Sequence, residues 1–287
     1  MSEGYFAKRS PLDQDIAKQY TKFLLEKDIE DSPRARHQFC LDARVHPKLL
    51  LYNPHLKAIA ALTSKDSNLE RLRDMTLEEY MDYHFYFLHQ GYRYGIPESQ
   101  QLWLGHPIVK SPNDCWIYQE ILSSLRPDYV IELGVLFGGG SRFFASMLDL
   151  IGHGELIGVD VTLEKAKGLS HPRIRLFEGS SVDPAIFGEI EGMVRGKKVV
   201  VIADSDHERS HVLKELELYS QLVPVGSYLV AEDSMNDVMA FHPVPNEGPQ
   251  AAAREFLASH PEFEPDRRWA ERYILSLNPL GYLKRIR

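Results

Sequence analysis

Two groups of residues have types and spacings that could do chemistry. The first is Glu132-x-Gly134-x-x-x-Gly138-Gly139-Gly140-Ser141. Glycines let a backbone come close to a ligand and take left-handed dihedrals. A helix starting near Ser141 would turn its N-terminus toward that loop and favour a carboxylate or phosphate. The spacing is not the Gly-x-Gly-x-x-Gly dinucleotide fingerprint. An acid two residues before the first glycine suits a ligand with an ammonium group, such as the methionine part of S-adenosylmethionine. Asp160 closes the next apolar stretch, where a carboxylate can accept both hydroxyls of a ribose. The competing role for Asp160 is to cap a helix starting near Thr162.

The second group is Asp204-Ser205-Asp206-His207, joined by Glu232-Asp233. Asp204, Glu232 and Asp233 fall at the ends of two apolar stretches. Carboxylates brought together there repel one another unless something positive sits between them. Hard oxygen ligands suit Mg²⁺. Such an ion could lower the pKa of a substrate hydroxyl. His207 could take the proton, since its unperturbed pKa of about 6.5 suits that work. The plainer alternative is a solvated acidic loop with helix caps. His207-Glu208-Arg209-Ser210-His211 also matches the His-Glu-x-x-His zinc motif. That motif needs both histidines on one helix face, whereas His207 falls at a strand-to-helix junction.

The elements that must position these residues alternate. Short apolar strands are expected at 129–131, 156–159, 174–177, 198–203 and 228–231. Helices are expected at 112–125, 141–151, 185–194, 208–222 and 249–259. Pro112 would sit at N1 of the first, capped by Ser111. This alternation implies a mostly parallel sheet covered on both faces. Right-handed crossovers then put the polar strand ends along one edge. Residues 272–277 and 281–285 read as two further strands around Asn278-Pro279, a closing antiparallel hairpin. Before residue 95 the pattern is helical, from Leu12 to Ile29 and again after the capping box Thr76-Leu77-Glu78-Glu79. The second of these helices carries Tyr80, Tyr83, Phe85 and Phe87. The chain therefore divides into an N-terminal helical extension (1–95) and an α/β domain (96–287). The extension is a candidate oligomer contact or substrate cover, and a homo-oligomer is expected.

The 287 residues carry a formal net charge of −8. A nucleic-acid grip needs a basic footprint, so a small-molecule partner is expected instead. No apolar run is long enough to span a bilayer. Two cysteines, Cys40 and Cys115, make no disulfide framework. The expected location is the cytoplasm, with no membrane partner.

These motifs resemble the cephalosporin hydroxylase and rhamnosyl O-methyltransferase family of class I methyltransferases. The resemblance rests on Trp103-x-Gly105-x-Pro107-Ile108-x-Lys110-x-Pro112-x-Asp114, the Glu132 loop, Asp204-Ser205-Asp206-His207, Glu232-Asp233 and Asn278-Pro279-x-Gly281-Tyr282-Leu283. It implies a Rossmann-like, seven-stranded, mostly parallel methyltransferase sheet. It also implies an O-methyltransferase that uses S-adenosylmethionine and Mg²⁺ on a sugar or another hydroxylated natural-product precursor. By the same resemblance Asp204, Glu232 and Asp233 would hold the metal, and His207 and Asp204 would be catalytic. Glu132, Gly134, Gly138, Ser141, Asp160, Ser180, Ser181 and Asp204 would hold the cofactor. Gly140, which separates the paired glycines from Ser141, departs from the family pattern. A nicotinamide-dependent oxidoreductase shares the α/β pattern but not the glycine spacing. A non-catalytic binding protein on the same fold would have no need of the retained carboxylates.

Overall fold

A computed structural model describes residues 11–28, 39, 101–238, 247–273 and 276–287. The chain divides into two compact units, residues 1–100 and 101–287. In the first, helix α1 (Pro11–Lys27) lies where the apolar spacing expects it. Its Tyr20 and Phe23 pack on Phe39 with ring centroids 5.2 and 5.4 Å away. The capping-box helix and its aromatic residues lie outside the described residues.

The second unit opens with a small hairpin, β1 (Gln101–Trp103) and β2 (His106–Ile108). Leu104 and Gly105 take positive φ, 48° and 86°, as a two-residue hairpin turn requires. Next come α2 (Pro112–Leu125), β3 (Tyr129–Leu133), α3 (Gly139–Ile151), β4 (Glu155–Asp160) and β5 (Ile174–Glu178). They are followed by α4 (Pro184–Val194), β6 (Val199–Ala203), α5 (Arg209–Tyr219) and β7 (Tyr228–Ala231). Then come α6 (Pro249–Ser259), β8 (Phe263–Pro265), α7 (Arg267–Glu271) and β9 (Tyr282–Arg285).

Seven of these strands form one sheet in the order β5-β4-β3-β6-β7-β9-β8. The first five are parallel, and β9 runs antiparallel to both β7 and β8. Strand β6, Val-Val-Val-Ile-Ala, is buried along its whole length, as a central parallel strand must be. Alternate strand residues feed two cores. Ile131, Val159 and Val201 meet Ile190, Leu216 and Phe256 from α4, α5 and α6. Val130, Leu156 and Val200 meet Ile117, Tyr118, Phe143 and Phe144 from α2 and α3. Each of these large side chains contributes about 1.5–3 kcal/mol by leaving water.

The antiparallel closure is present, but its strands differ from the expectation. The partner of β9 at the edge is β8, and the described residues of 272–277 form no strand. Asn278 does begin a turn, with the Gly281 amide donating to its carbonyl at 3.0 Å.

Candidate active site

The five parallel strands end along one edge, at Leu133, Asp160, Glu178, Ala203 and Ala231. Strand β3 pairs in parallel with β4 on one side and β6 on the other, so the order in which successive strands are added reverses between β3 and β6. Ligands of open α/β sheets settle at such a crevice. Gly134 stands at its mouth with φ 98°. A Cβ there would overlap the Asp204 carbonyl. The need for glycine at 134 is thus the close approach of two loops, one from each side of the crevice.

The positive charge that the clustered acids require comes from the chain itself. Lys110 is 4% exposed and follows β2. Its Nζ lies 2.8 Å from Asp204 Oδ2, 2.5 Å from Glu232 Oε2 and 3.6 Å from Glu132 Oε1. Burial alone would lower the Lys110 pKa, but Asp204, Glu232 and Glu132 hold it well above its ordinary value. Burial pushes Glu132 up to about 7, against the pull of Lys110 and Ser141. Burial and the charge of Asp204 hold Glu232 well above the carboxylate range. Burial would raise Asp204 too, yet Lys110 keeps it well below that range. The second oxygen of Glu232 accepts from the Tyr118 hydroxyl.

Asp204, His207 and Asp233 converge on the open side of this cluster, each offering an atom within 4.8 Å of the other two. His207 Nε2 lies 3.0 Å from Asp233 Oδ2 and 3.8 Å from Asp204 Oδ1. That nitrogen is enclosed but has no well-aligned hydrogen bond. Burial would lower its pKa; Asp204 and Asp233 instead push it up to about 10. Asp204 and Asp233 bring two hard oxygens to one spot, which suits a small divalent cation, and the enclosed His207 nitrogen stands beside that spot. Glu232, the third acid expected at a metal, faces Lys110 and Tyr118 rather than this spot.

The residues expected to hold a cofactor make contacts within the chain that the sequence left unseen. The Glu132 carboxylate is 1% exposed and accepts from Ser141 Oγ at 2.5 Å. Ser141 is fully buried. The ammonium facing Glu132 is that of Lys110, and Ser141 serves Glu132. Gly140 lies beside them, and a Cβ there would overlap Glu132 Oε1 and press on Lys110 Cε. The departure at Gly140 therefore makes room for this pair. Gly138, φ 80°, is the residue at the head of α3. Asp160 accepts from the Val135, Leu136 and Thr162 amides at 2.9, 2.8 and 3.1 Å. It braces the Gly134 loop and closes a local turn at Thr162, but it caps no helix there: the short 3₁₀ turn that follows spans Glu164–Ala166 and takes no side-chain cap.

Ser180 is partly buried, and its Oγ accepts weakly from the Val182 amide. Ser181 is 5% exposed and donates to Glu215 Oε1 at 2.5 Å. Ser205 donates to the same oxygen at 2.6 Å. Buried Glu215 thus ties the turn after β5 to the loop after β6. His211 belongs to this group, with Nε2 3.2 Å from Ser181 Oγ and 3.4 Å from Glu215. His207 precedes α5 and His211 lies inside it, so the two histidines serve different clusters and the zinc motif is accidental.

Sequence reasoning assigned no role to Lys110, Tyr118, Glu215 or Asn278. For Lys110 a signal existed: the repulsion argument demanded a cation, and this lysine stands inside a quoted motif.

Comparison with known proteins bears on the same unit. The family model described as rhamnosyl O-methyltransferase/CmcI matches residues 98–286. A rhamnosyl O-methyltransferase of Mycobacterium tuberculosis (strain ATCC 25618 / H37Rv) is 35% identical over 198 residues, 65% of this chain and 76% of that protein. One from Mycobacterium leprae (strain TN) is 35% identical over 197 residues, 65% of this chain and 81% of the relative. Among solved structures, CmcI without ligand aligns with TM-score 0.53 at 22% identity, covering 78% of this chain and 86% of that one. CmcI described with Mg and SAM aligns with TM-score 0.52 at 23% identity, covering 65% and 77%. These structural likenesses carry the α/β fold.

Proposed function

The chain belongs to the rhamnosyl O-methyltransferase/CmcI family of S-adenosylmethionine-dependent O-methyltransferases, and from that premise we propose that it methylates a sugar hydroxyl with the help of Mg²⁺. A hydroxyl of another natural-product precursor is the wider class. The observation that carries this reading is the convergence of Asp204, His207 and Asp233 at the sheet edge, next to the Gly134 loop. The relatives' name supports a sugar acceptor. The CmcI structure described with Mg and SAM supports the cofactor pair.

Asp204 and Asp233 would hold the ion, with Glu232 the third acid that the family resemblance assigns to it. Both Glu232 oxygens serve Lys110 and Tyr118 here, so it would join only by releasing one of them. Mg²⁺ held there would supply a positive charge that lowers the pKa of the acceptor hydroxyl and of His207. With S-adenosylmethionine as donor, the acceptor oxygen would bond to the methyl carbon as the carbon–sulfur bond breaks, leaving S-adenosylhomocysteine. His207 Nε2 would take the hydroxyl proton. The methyl donor is already activated, so the chain's main work is alignment. Near-attack positioning can contribute about 7–11 kcal/mol. The head of α3 would face the methionine carboxylate, and Asp160 would turn toward the ribose.

Calorimetric titration with S-adenosylhomocysteine and with NADH separates this reading from a nicotinamide enzyme. Saturable binding of the first alone is expected. Binding of NADH alone would overturn the proposal.

A further inference from the structure

The Asn278-Pro279-x-Gly281-Tyr282 motif is far from the site in sequence but not in space. Asn278 is 1% exposed, and its Oδ1 accepts from the backbone amide of Asp233 at 2.8 Å. Asp233 has φ 56°. A non-glycine residue in that region costs about 1–3 kcal/mol and persists only when its surroundings hold it there. The Asn278 amide nitrogen donates to the Tyr118 and Tyr282 hydroxyls at 3.3 and 3.4 Å. Tyr118 in turn donates to Glu232, and Tyr282 donates to Asp114 at 2.6 Å.

Asp114 holds the rest of the segment. It accepts from Ser276 Oγ at 2.6 Å and from the Leu277 amide at 2.8 Å. Ser276 Oγ accepts from the Asn278 amide at 2.9 Å. The Leu277 carbonyl accepts from Met235 at 2.8 Å, beyond the Glu232-Asp233 pair. One side chain thus reads the backbone of one acid and, through Tyr118, the carboxylate of its neighbour. Only a carboxamide offers the acceptor and the donors together without a further negative charge beside Glu232, Asp233 and Asp114.

We propose that Asn278 is a positioning residue for Asp233: it locks the strained backbone so that Oδ2 points at His207 and the ion. This rests on the reading of Asp233 as an ion ligand. Removing a partner that holds a ligand in place typically costs about 10–100-fold in metal affinity.

The test compares wild type with Asn278→Ala and Asn278→Asp, the second keeping the acceptor for the Asp233 amide. Three quantities are measured on folded protein: Mn²⁺ affinity by electron paramagnetic resonance, S-adenosylhomocysteine affinity by calorimetry, and hydrogen exchange at the Asp233 amide without metal. For Asn278→Ala, Mn²⁺ binding should weaken about ten-fold or more, cofactor-product binding should stay within about two-fold, and Asp233 exchange should accelerate. In Asn278→Asp the exchange should remain slow. If alanine prevents folding, Asn278→Ser, too short to reach the amide, replaces it. Unchanged exchange and Mn²⁺ affinity in the alanine variant would overturn the inference, as would equal losses in both affinities. Failure of the wild type to bind Mn²⁺ counts against the ion reading alone, and the exchange rates still decide the role of Asn278.

Discussion

Lys110 solves a problem that acidic strand ends create. Glu132, Asp204 and Glu232 come from three strands, and in a buried crevice their charges cannot be left unbalanced. Removing one partner of a buried ion pair typically costs about 3–5 kcal/mol. Lys110→Met should therefore lose about that much stability at neutral pH by urea unfolding. The loss should be larger at alkaline pH, where Glu132 and Glu232 ionise, and shrink as pH falls to neutrality, because Lys110 holds both raised pKa values lower than they would be without it. A loss that does not grow from neutral to alkaline pH would contradict this role. Gly140→Ala tests the same cluster by volume. Its methyl would overlap the Glu132 carboxylate, and overpacking of this kind costs about 1–3 kcal/mol. A variant as stable as wild type would show that the pair has slack. His207→Gln should lower the methyl-transfer rate by about 10²–10⁴-fold, the usual worth of a general base. It should leave S-adenosylhomocysteine binding unchanged in calorimetry.

At the scale of elements, the sheet edge depends on how its far side is closed. Asp266 heads α7 and accepts from Tyr228 at 2.8 Å and from Arg268 at 2.8 and 2.6 Å. The Arg268 hydrogen bonds hold its pKa below the usual range, against burial. A carboxylate depressed in the folded state adds stability above its unfolded pKa of about 3.9. That stability is lost as pH falls through the lower, folded value. Asp266→Asn should thus be less stable than wild type at neutral pH, by about 1–3 kcal/mol. The gap should close below about pH 4 in urea titrations. A gap that widens in acid would reverse the sign of the argument. The same region shows where sequence reading reaches its limit. Helices α2 and α6 lie at the expected residues, because proline at N1 and apolar periodicity mark them locally. Strand β8 is three residues ending in Pro265, with no periodicity to read. It survives because it is an edge strand, where proline is tolerated. Residues 272–277 looked like a strand from composition alone.

At the scale of the molecule, the strand ends were legible because each is a polar residue after an apolar run. Asp160, Asp204 and Glu232 lie on one edge as the alternation implies. Their partners were not legible, because Lys110, Tyr118, Glu215 and Asn278 reach the site from other elements and other parts of the chain. A single sequence shows what closes a strand but not which distant side chain faces it. Among the described residues no helix is long and apolar enough to cross a membrane. The division of labour that results can be tested as a whole. Asp204 borders both halves of the site, through Gly134 on one side and the His207–Asp233 pair on the other. The decisive measurement is mass spectrometry of a rhamnosyl glycoside incubated with methyl-labelled S-adenosylmethionine, with Mg²⁺ or with EDTA, for wild type and Asp204→Ala. Wild type should give a labelled O-methyl ether with Mg²⁺ and none with EDTA. Asp204→Ala should give none, while still binding S-adenosylhomocysteine. Equal product from wild type and variant, or equal product with and without the ion, would contradict this division of labour.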